Sequence, residues 1–201
     1  DYGGLDVFAF LAAKPRATLD AMIERSINSP LASSAGRLFD AAAAAAGICR
    51  ERAAYEGQGA IEFEAIVDED VLNNEDEHLA YRFEISETGD GGIPLIDPLP
   101  MWHALLGDLL QKTPTPVIAA RFHKGVAIAI VRMIEAVKDD ASPRTVALSG
   151  GVWQNRVLFE QVTTRLESAN FCVLTHRQFP ANDGCLSLGQ AAIAAARLLL
   201  S

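Results

Sequence analysis

Apolar and polar positions along this chain follow two periods, and the period changes from segment to segment. In ATLDAMIERSIN, residues 17 to 28, Leu19, Met22 and Ile23 recur at helical spacing before Asn28, Ser29 and Pro30 supply a stop. A short amphipathic helix is predicted there. Ser33 or Ser34 can cap the next segment, GRLFDAAAAAAGI, whose six consecutive alanines favour helix and whose Gly47 offers a left-handed end. Side chains that small predict a helix packed close against another element. From Glu56 to Val67 the pattern is ambiguous: Ile61, Phe63, Ala65 and Val67 alternate with Glu62 and Glu64 as in a strand, yet the same residues tolerate a helix.

Tyr81, Phe83 and Ile85 alternate with Arg82, Glu84 and Ser86 ahead of a glycine-rich turn at Gly89 to Gly92, which predicts a strand pairing with Ile93 to Ile96. Two helices follow, over Met101–Leu110 and Thr115–Lys138, parted by threonine and proline. Beyond them the chain reads as buried strand (Thr145 to Leu148), helix (Asn155 to Ala169), buried strand (Phe171 to Thr175) and helix (Leu186 to Leu200). That order predicts an α/β fold in which at least part of the sheet is parallel. The chain shows no internal repeat and no low-complexity linker.

Composition narrows the function classes. Half of the 201 residues are apolar, enough to core one large domain or two lobes. A formal charge of −9 argues against a broad electrostatic hold on nucleic acid. The acidic runs Asp68 to Asp70 and Asn73 to Glu77 are expected to form a solvated loop. Three cysteines, Cys49, Cys172 and Cys185, with no CxxC pair, fit a reducing cytoplasm and no zinc knuckle. No stretch reads as a membrane span or secretory signal, so no membrane partner is expected, and the start at Asp1 reads as a piece of something longer.

The candidate chemistry lies in two loops. In VALSGGVWQN a β-branched run ends at Ser149, Gly150 and Gly151, with Asn155 four residues further on. Glycines after a strand let the backbone approach an anion and take positive φ, which suits a phosphate beyond the carboxyl end of a sheet. A tight turn with no ligand accounts for the tripeptide equally well. In PANDGCLSLGQ, Asp183 precedes the last helix and reads either as an N-cap or as a carboxylate placed to hold a metal.

Five segments, NSPLASSAGRLFDA, YEGQGAIEFEA, ARFHKGVA, LSGGVWQN and PANDGCLSLGQAA, taken in this order and spacing, resemble the C-terminal part of the HypF carbamoyltransferases of nickel–iron hydrogenase maturation. The resemblance runs from about residue 17 to the end. It implies that residues 1–201 are the C-terminal lobe of the last, threonylcarbamoyladenosine-synthase-like domain, with residues 1–16 left to the preceding lobe or a linker. The implied fold is a lobe of the actin, hexokinase and Hsp70 type of ATPase, a mixed sheet flanked by helices. By the same resemblance, Gly150, Gly151 and Asn155 match a GGVxxN nucleotide loop, Gly36 and Asp40 a GxxxD helix contacting adenine and ribose, and Asp183 the aspartate completing a divalent metal site. The implied activity uses carbamoyl phosphate and ATP, by way of carbamoyl adenylate, to carbamoylate the C-terminal cysteine of HypE.

The departures matter too. Nothing like the family's paired-histidine segment occurs here: His78, His103, His123 and His176 are scattered, so the remaining metal ligands are expected outside this chain and the chain alone is expected to be inactive. Ala35 stands where the family often has Cys, and Cys185 where it often has Gly. His123, within a long helix, is expected to be a packed, hydrogen-bonded core residue. Cys185 reads as a buried small residue or as a thiol activated by a helix start, and Trp153 as packing or a cover for a base. Two rival readings stand beside the carbamoylation of HypE: a lobe of a small-molecule O-carbamoyltransferase, and a non-catalytic scaffold with a vestigial nucleotide loop.

Overall fold

A computed structural model describes residues 2–86, 93–137 and 144–199. It is a mixed α/β structure, mostly helical, with small sheets. Helices α1 (Asp6–Ala12), α2 (Arg16–Glu24), α3 (Ala35–Ala45), α4 (Gln58–Ala65) and α5 (Glu69–Asn74) precede strands β1 (Glu84–Ser86) and β2 (Leu95–Asp97). Then come α6 (Leu99–Leu110), α7 (Thr115–Val137), β3 (Thr145–Leu148), α8 (Arg156–Ser168), β4 (Cys172–Thr175) and α9 (Leu186–Leu199). Among the described residues the strands form two pairs, β1 with β2 and β3 with β4, rather than the larger mixed sheet expected. The glycine-rich turn at Gly89 to Gly92 lies outside the described residues. So do Lys138 and Leu200, the expected ends of two helices.

The chain divides into two compact units, one comprising Asp1–Ser86 and Ile96–Gly125, the other Glu87–Leu95 and Val126–Ser201. In the first, α3 forms as its sequence dictates. The Ser34 hydroxyl accepts from the Arg37 amide at 3.4 Å, and Gly47 at φ +94° closes the far end with Ile48 N–H donating to Ala43 O at 2.8 Å. Arg50 donates to the Ala44 and Ala45 carbonyls as well, at 2.7 and 3.0 Å, so the last turn has few idle acceptors. The alanines do bring a neighbour close: Ala42 and Ala43 are fully buried, and a Cβ on Gly59 of α4 would lie 3.5 Å from Ala43 Cβ.

That contact decides the ambiguous stretch. Residues Gln58 to Ala65 are helical, because Gly59 and Phe63, four apart, both turn inward, and the strand-like alternation of the glutamates yields to packing. Phe63 joins Phe39 and Phe122, with ring centroids 5.5 Å and 4.9 Å from Phe122. Met101, Leu105 and Ile118 complete this core without exposed surface.

The acidic run is solvated as expected at Glu69, Asp70, Asp76 and Glu77, but Glu69–Asn74 is helix rather than loop, and its ends are tied down. The Asp68 carboxylate caps α5 by accepting from the Val71 amide at 3.0 Å, Leu72 is buried, and Lys124 Nζ donates to the carbonyls of Val71 and Glu75 at the other end. Glu75 is held by Arg121 at 2.6 Å, and Arg121 also grips Asp108 at 2.8 Å. Asp108 is buried and accepts further from Tyr81 Oη at 2.7 Å and Thr113 Oγ1 at 3.2 Å. Burial, with the Asp108 carboxylate, pushes the Tyr81 phenol well above its usual range. The Glu75 and Asp108 carboxylates push Arg121 up despite partial desolvation. Gly125 belongs to the same join: a Cβ there would lie 2.2 Å from the Tyr81 carbonyl oxygen, so only glycine lets that segment close on α7.

His123 meets its expectation. It is fully buried, its Nδ1 lies 2.8 Å from Ala119 O, and its ring stands edge-on to Phe39. Desolvation lowers its pKa from 6.5 to about 4, so it is neutral inside the core.

In the second unit β3 and β4 pair in parallel, with Thr145 opposite Cys172 and Leu148 opposite Thr175. The expectation that these strands are buried fails. Only Leu148 of β3 is buried, and β4 alternates exposed and half-buried. A two-stranded sheet has no inner strand, and its cover comes from α8, whose Leu158, Val162 and Leu166 recur every four residues and are fully buried. Helix α9 is the opposite case. It carries one charge, Arg197, among fourteen residues, and none of them is buried.

Candidate functional site

The parallel register sets the geometry of the glycine loop. Because Leu148 pairs with Thr175, the residues that follow, Ser149 and His176, leave the sheet at the same edge. Gly150 then turns at φ +111° and ψ 159°, a conformation that an L residue rarely adopts. Its N–H donates to Ala181 O at 2.8 Å, which ties this loop to the one preceding α9. Gly151 opens a short 3₁₀ turn, Gly151–Gln154, and a Cβ on it would lie 3.8 Å from Asn182 Cβ. The two loops singled out from the sequence therefore meet at one sheet edge.

Asn155 ends that turn and caps α8, its side-chain oxygen accepting from the Leu158 amide at 2.8 Å. Trp153 is half-buried, and its indole N–H donates to Ser149 O at 3.1 Å, which fixes the loop backbone.

Asp183 is not the N-cap that local sequence allowed. Asp183 instead opens a short 3₁₀ turn, Asp183–Cys185, that leads into α9 and is capped by Asn182, whose side chain accepts from the Gly184 amide at 3.0 Å, while Asp183 itself is exposed. Among the described residues no group of three or more His, Cys, Asp or Glu is arranged to hold a metal ion. A hard divalent cation takes six or more oxygens, so Asp183 fits as one ligand and cannot make a site by itself. Cys185 is half-buried, its thiol 2.8 Å from Pro180 O, which matches the small-residue reading more closely than an exposed reactive thiol.

Gly36 and Asp40 lie on α3, in the other unit. Gly36 is exposed and a side chain there would meet only the Ser34 hydroxyl, at 3.7 Å. Asp40 is half-buried, 3.7 Å from Arg37. The sequence reading passed over His176, whose Nε2 lies 3.1 Å from Ser149 Oγ, and Asn182. The signal for His176 was its place one residue beyond a strand, matching Ser149, but it becomes legible only once strand register is known.

Compared with known proteins, residues 5–190 match the family model described as carbamoyltransferase, Kae1-like domain, second subdomain. The chain is similar to carbamoyltransferase HypF of Rhodobacter capsulatus, 36% identical over 98% of this chain and 24% of that protein. It is likewise similar to carbamoyltransferase HypF of Rhizobium leguminosarum bv. viciae, 39% identical over 88% of this chain and 21% of that one. Among solved structures, a crystal structure of full-length HypF in the phosphate- and nucleotide-bound form superposes with a TM-score of 0.79 at 31% identity, over 94% of this chain and 24% of the other. The chain thus spans about a quarter of the length of these relatives.

Proposed function

This chain belongs to the family of the carbamoyltransferase Kae1-like domain, second subdomain, and from that membership we propose that it is the nucleotide-holding C-terminal lobe of a HypF-type carbamoyltransferase with an actin, hexokinase and Hsp70 type of fold. In the complete enzyme the lobe takes ATP or carbamoyl adenylate, and the carbamoyl group goes to the C-terminal cysteine of HypE. The observation that carries the reading is the Gly150–Ala181 hydrogen bond, which joins the glycine loop to the Asn182–Asp183 loop at the carboxyl edge of a parallel strand pair. The nucleotide-bound state of the full-length HypF crystal structure supports it.

Each residue has a chemical part. Gly150 and Gly151 leave the space that phosphates need, and the Asn155 amide supplies a donor to the nucleoside. Asp183 would contribute one oxygen to a divalent cation, which when bound would neutralise phosphate charge. On α3, Gly36 and Asp40 are carried over as adenine and ribose contacts from the resemblance alone. In the transfer the HypE thiolate sulfur bonds to the carbamoyl carbon while the bond from that carbon to the AMP phosphate oxygen breaks, and AMP leaves with the electron pair. This chain's role is to hold the adenylate in line for that attack, since positioning supplies much of the rate of such a step. Helix α9 leaves Leu186, Leu188, Ile193 and Leu198 exposed, an apolar surface that supports placing this work inside a larger protein.

The test is ATP binding by the complete enzyme. Gly151 is not at positive φ and its Cβ position is open to 3.8 Å, so Gly151→Arg fills the loop without straining it. Titration calorimetry should show ATP binding weakened by about a hundredfold. Equal binding in both proteins would leave the glycine loop without a nucleotide, and wild-type carbamoyl transfer to HypE by Asp183→Ala would remove the metal role.

A further inference from the structure

His176 is an exposed residue that the reading above leaves without a task. It follows β4 as Ser149 follows β3, and the 3.1 Å between its Nε2 and Ser149 Oγ is a hydrogen bond between two side chains standing at the same sheet edge. Around this contact the backbone is already tied. Trp153 Nε1 donates to Ser149 O, and Gly150 N–H to Ala181 O, so the main chain at Ser149 has little freedom left. What remains unset is the direction of the Ser149 hydroxyl proton, which rotates about its bond to suit its partners.

We propose that His176 is a positioning residue of the phosphate end of the site: by donating from Nε2 to Ser149 Oγ, it turns the serine hydroxyl outward as a donor to a phosphoryl oxygen of the nucleotide. The alternative arrangement, with the hydroxyl donating to an unprotonated Nε2, consumes the only proton Ser149 has. An anion selects the first arrangement, because a hydrogen bond to a charged oxygen is about twice as strong as one between neutral groups. The imidazole therefore acts through the serine and need not touch the ligand. The proposal rests on the nucleotide reading given above and adds to it a residue outside the glycine motif.

The experiment uses the complete polypeptide and two probes, ATP and adenosine, in titration calorimetry with wild type, Ser149→Ala, His176→Ala, the double variant, His176→Gln and Gly151→Arg. Both side chains are exposed, so the alanine variants should fold, and adenosine binding reports that they have. Ser149→Ala and His176→Ala should each weaken ATP about tenfold, which is about 1.4 kcal/mol. The double variant should be no weaker than either single, because one interaction has been removed by two routes. His176→Gln, which retains a donor, should recover part of the loss, and adenosine should bind all variants alike. Losses that multiply in the double variant would overturn the proposal. Unchanged ATP binding by His176→Ala, alongside a loss in Gly151→Arg, would overturn it and leave the nucleotide reading intact. Absence of ATP binding by wild type would defeat both.

Discussion

Acidification should destabilise this protein through one residue, His123. The ring is sealed in the core of the first unit, 5.2 Å from the Phe39 centroid and 5.9 Å from that of Phe122, with Nδ1–H donating to Ala119 O. Desolvation holds its folded pKa at about 4, against 6.5 for a free side chain. The unfolded chain therefore accepts a proton as pH falls below about 6.5, while the folded chain refuses it until about 4. Across that window the unfolded state binds more protons, so stability is complete above pH 6.5 and is lost on the way down to pH 4. A gap from 6.5 to about 4 is worth about 3 kcal/mol at its full extent. Urea unfolding at pH 7.5, 6, 5 and 4, on wild type and His123→Leu, isolates this contribution. Leucine changes the shape of the site and with it the stability at every pH, so the decisive quantity is the change in the difference between the two curves. Wild type should lose about 2 kcal/mol more than the variant between pH 7.5 and 5. Parallel curves would refute the reasoning, since they would mean that His123 takes its proton in the folded state as readily as in the unfolded one.

Two further outcomes follow from the same contacts. Arg121→Met leaves the Glu75 and Asp108 carboxylates without their shared cation, and with side chains only 12 to 18% exposed the loss should be about 3 kcal/mol in urea unfolding. A loss under about 0.5 kcal/mol would mean water replaces the guanidinium at no cost. At Asn155 the cap and the proposed ligand contact can be separated. Asn155→Asp keeps an oxygen for the Leu158 amide and loses the NH₂, so its thermal midpoint should hold while ATP affinity falls in the complete enzyme. Unaltered ATP affinity in that variant would restrict Asn155 to capping.

Local chemistry was written legibly in the chain. Ser34 before an alanine helix, Gly47 after it, Asn155 four residues past Gly151 and Gly150 at a turn all describe one residue's relation to its near neighbours, and each acts as a cap or turn in the structure. The helices over Leu99–Leu110 and Thr115–Val137 likewise follow from a period that repeats often enough to be unambiguous. Where two local readings were nearly equal in energy, distant residues chose between them. The segment Gln58–Ala65 became a helix because Gly59 could sit on Ala43, and Asp68 to Glu77 became ordered because Arg121 and Lys124, some fifty residues away, receive it. Strand burial was misjudged for the same reason. An apolar run predicts that a strand wants cover, but the number of neighbours decides whether it gets it, and among the described residues β3 and β4 pair in a sheet of two strands.

The sequence by itself thus determined the caps, the turns, the long helices and the two loops proposed to carry the chemistry, since these depend on interactions within a few residues. The tertiary structure alone decided that the two loops touch through Gly150 and Ala181, and that His176 stands beside Ser149. Those are consequences of strand register. Pairing Leu148 with Thr175 joins positions twenty-seven residues apart, and no local preference encodes which residue of one strand will lie opposite which of another.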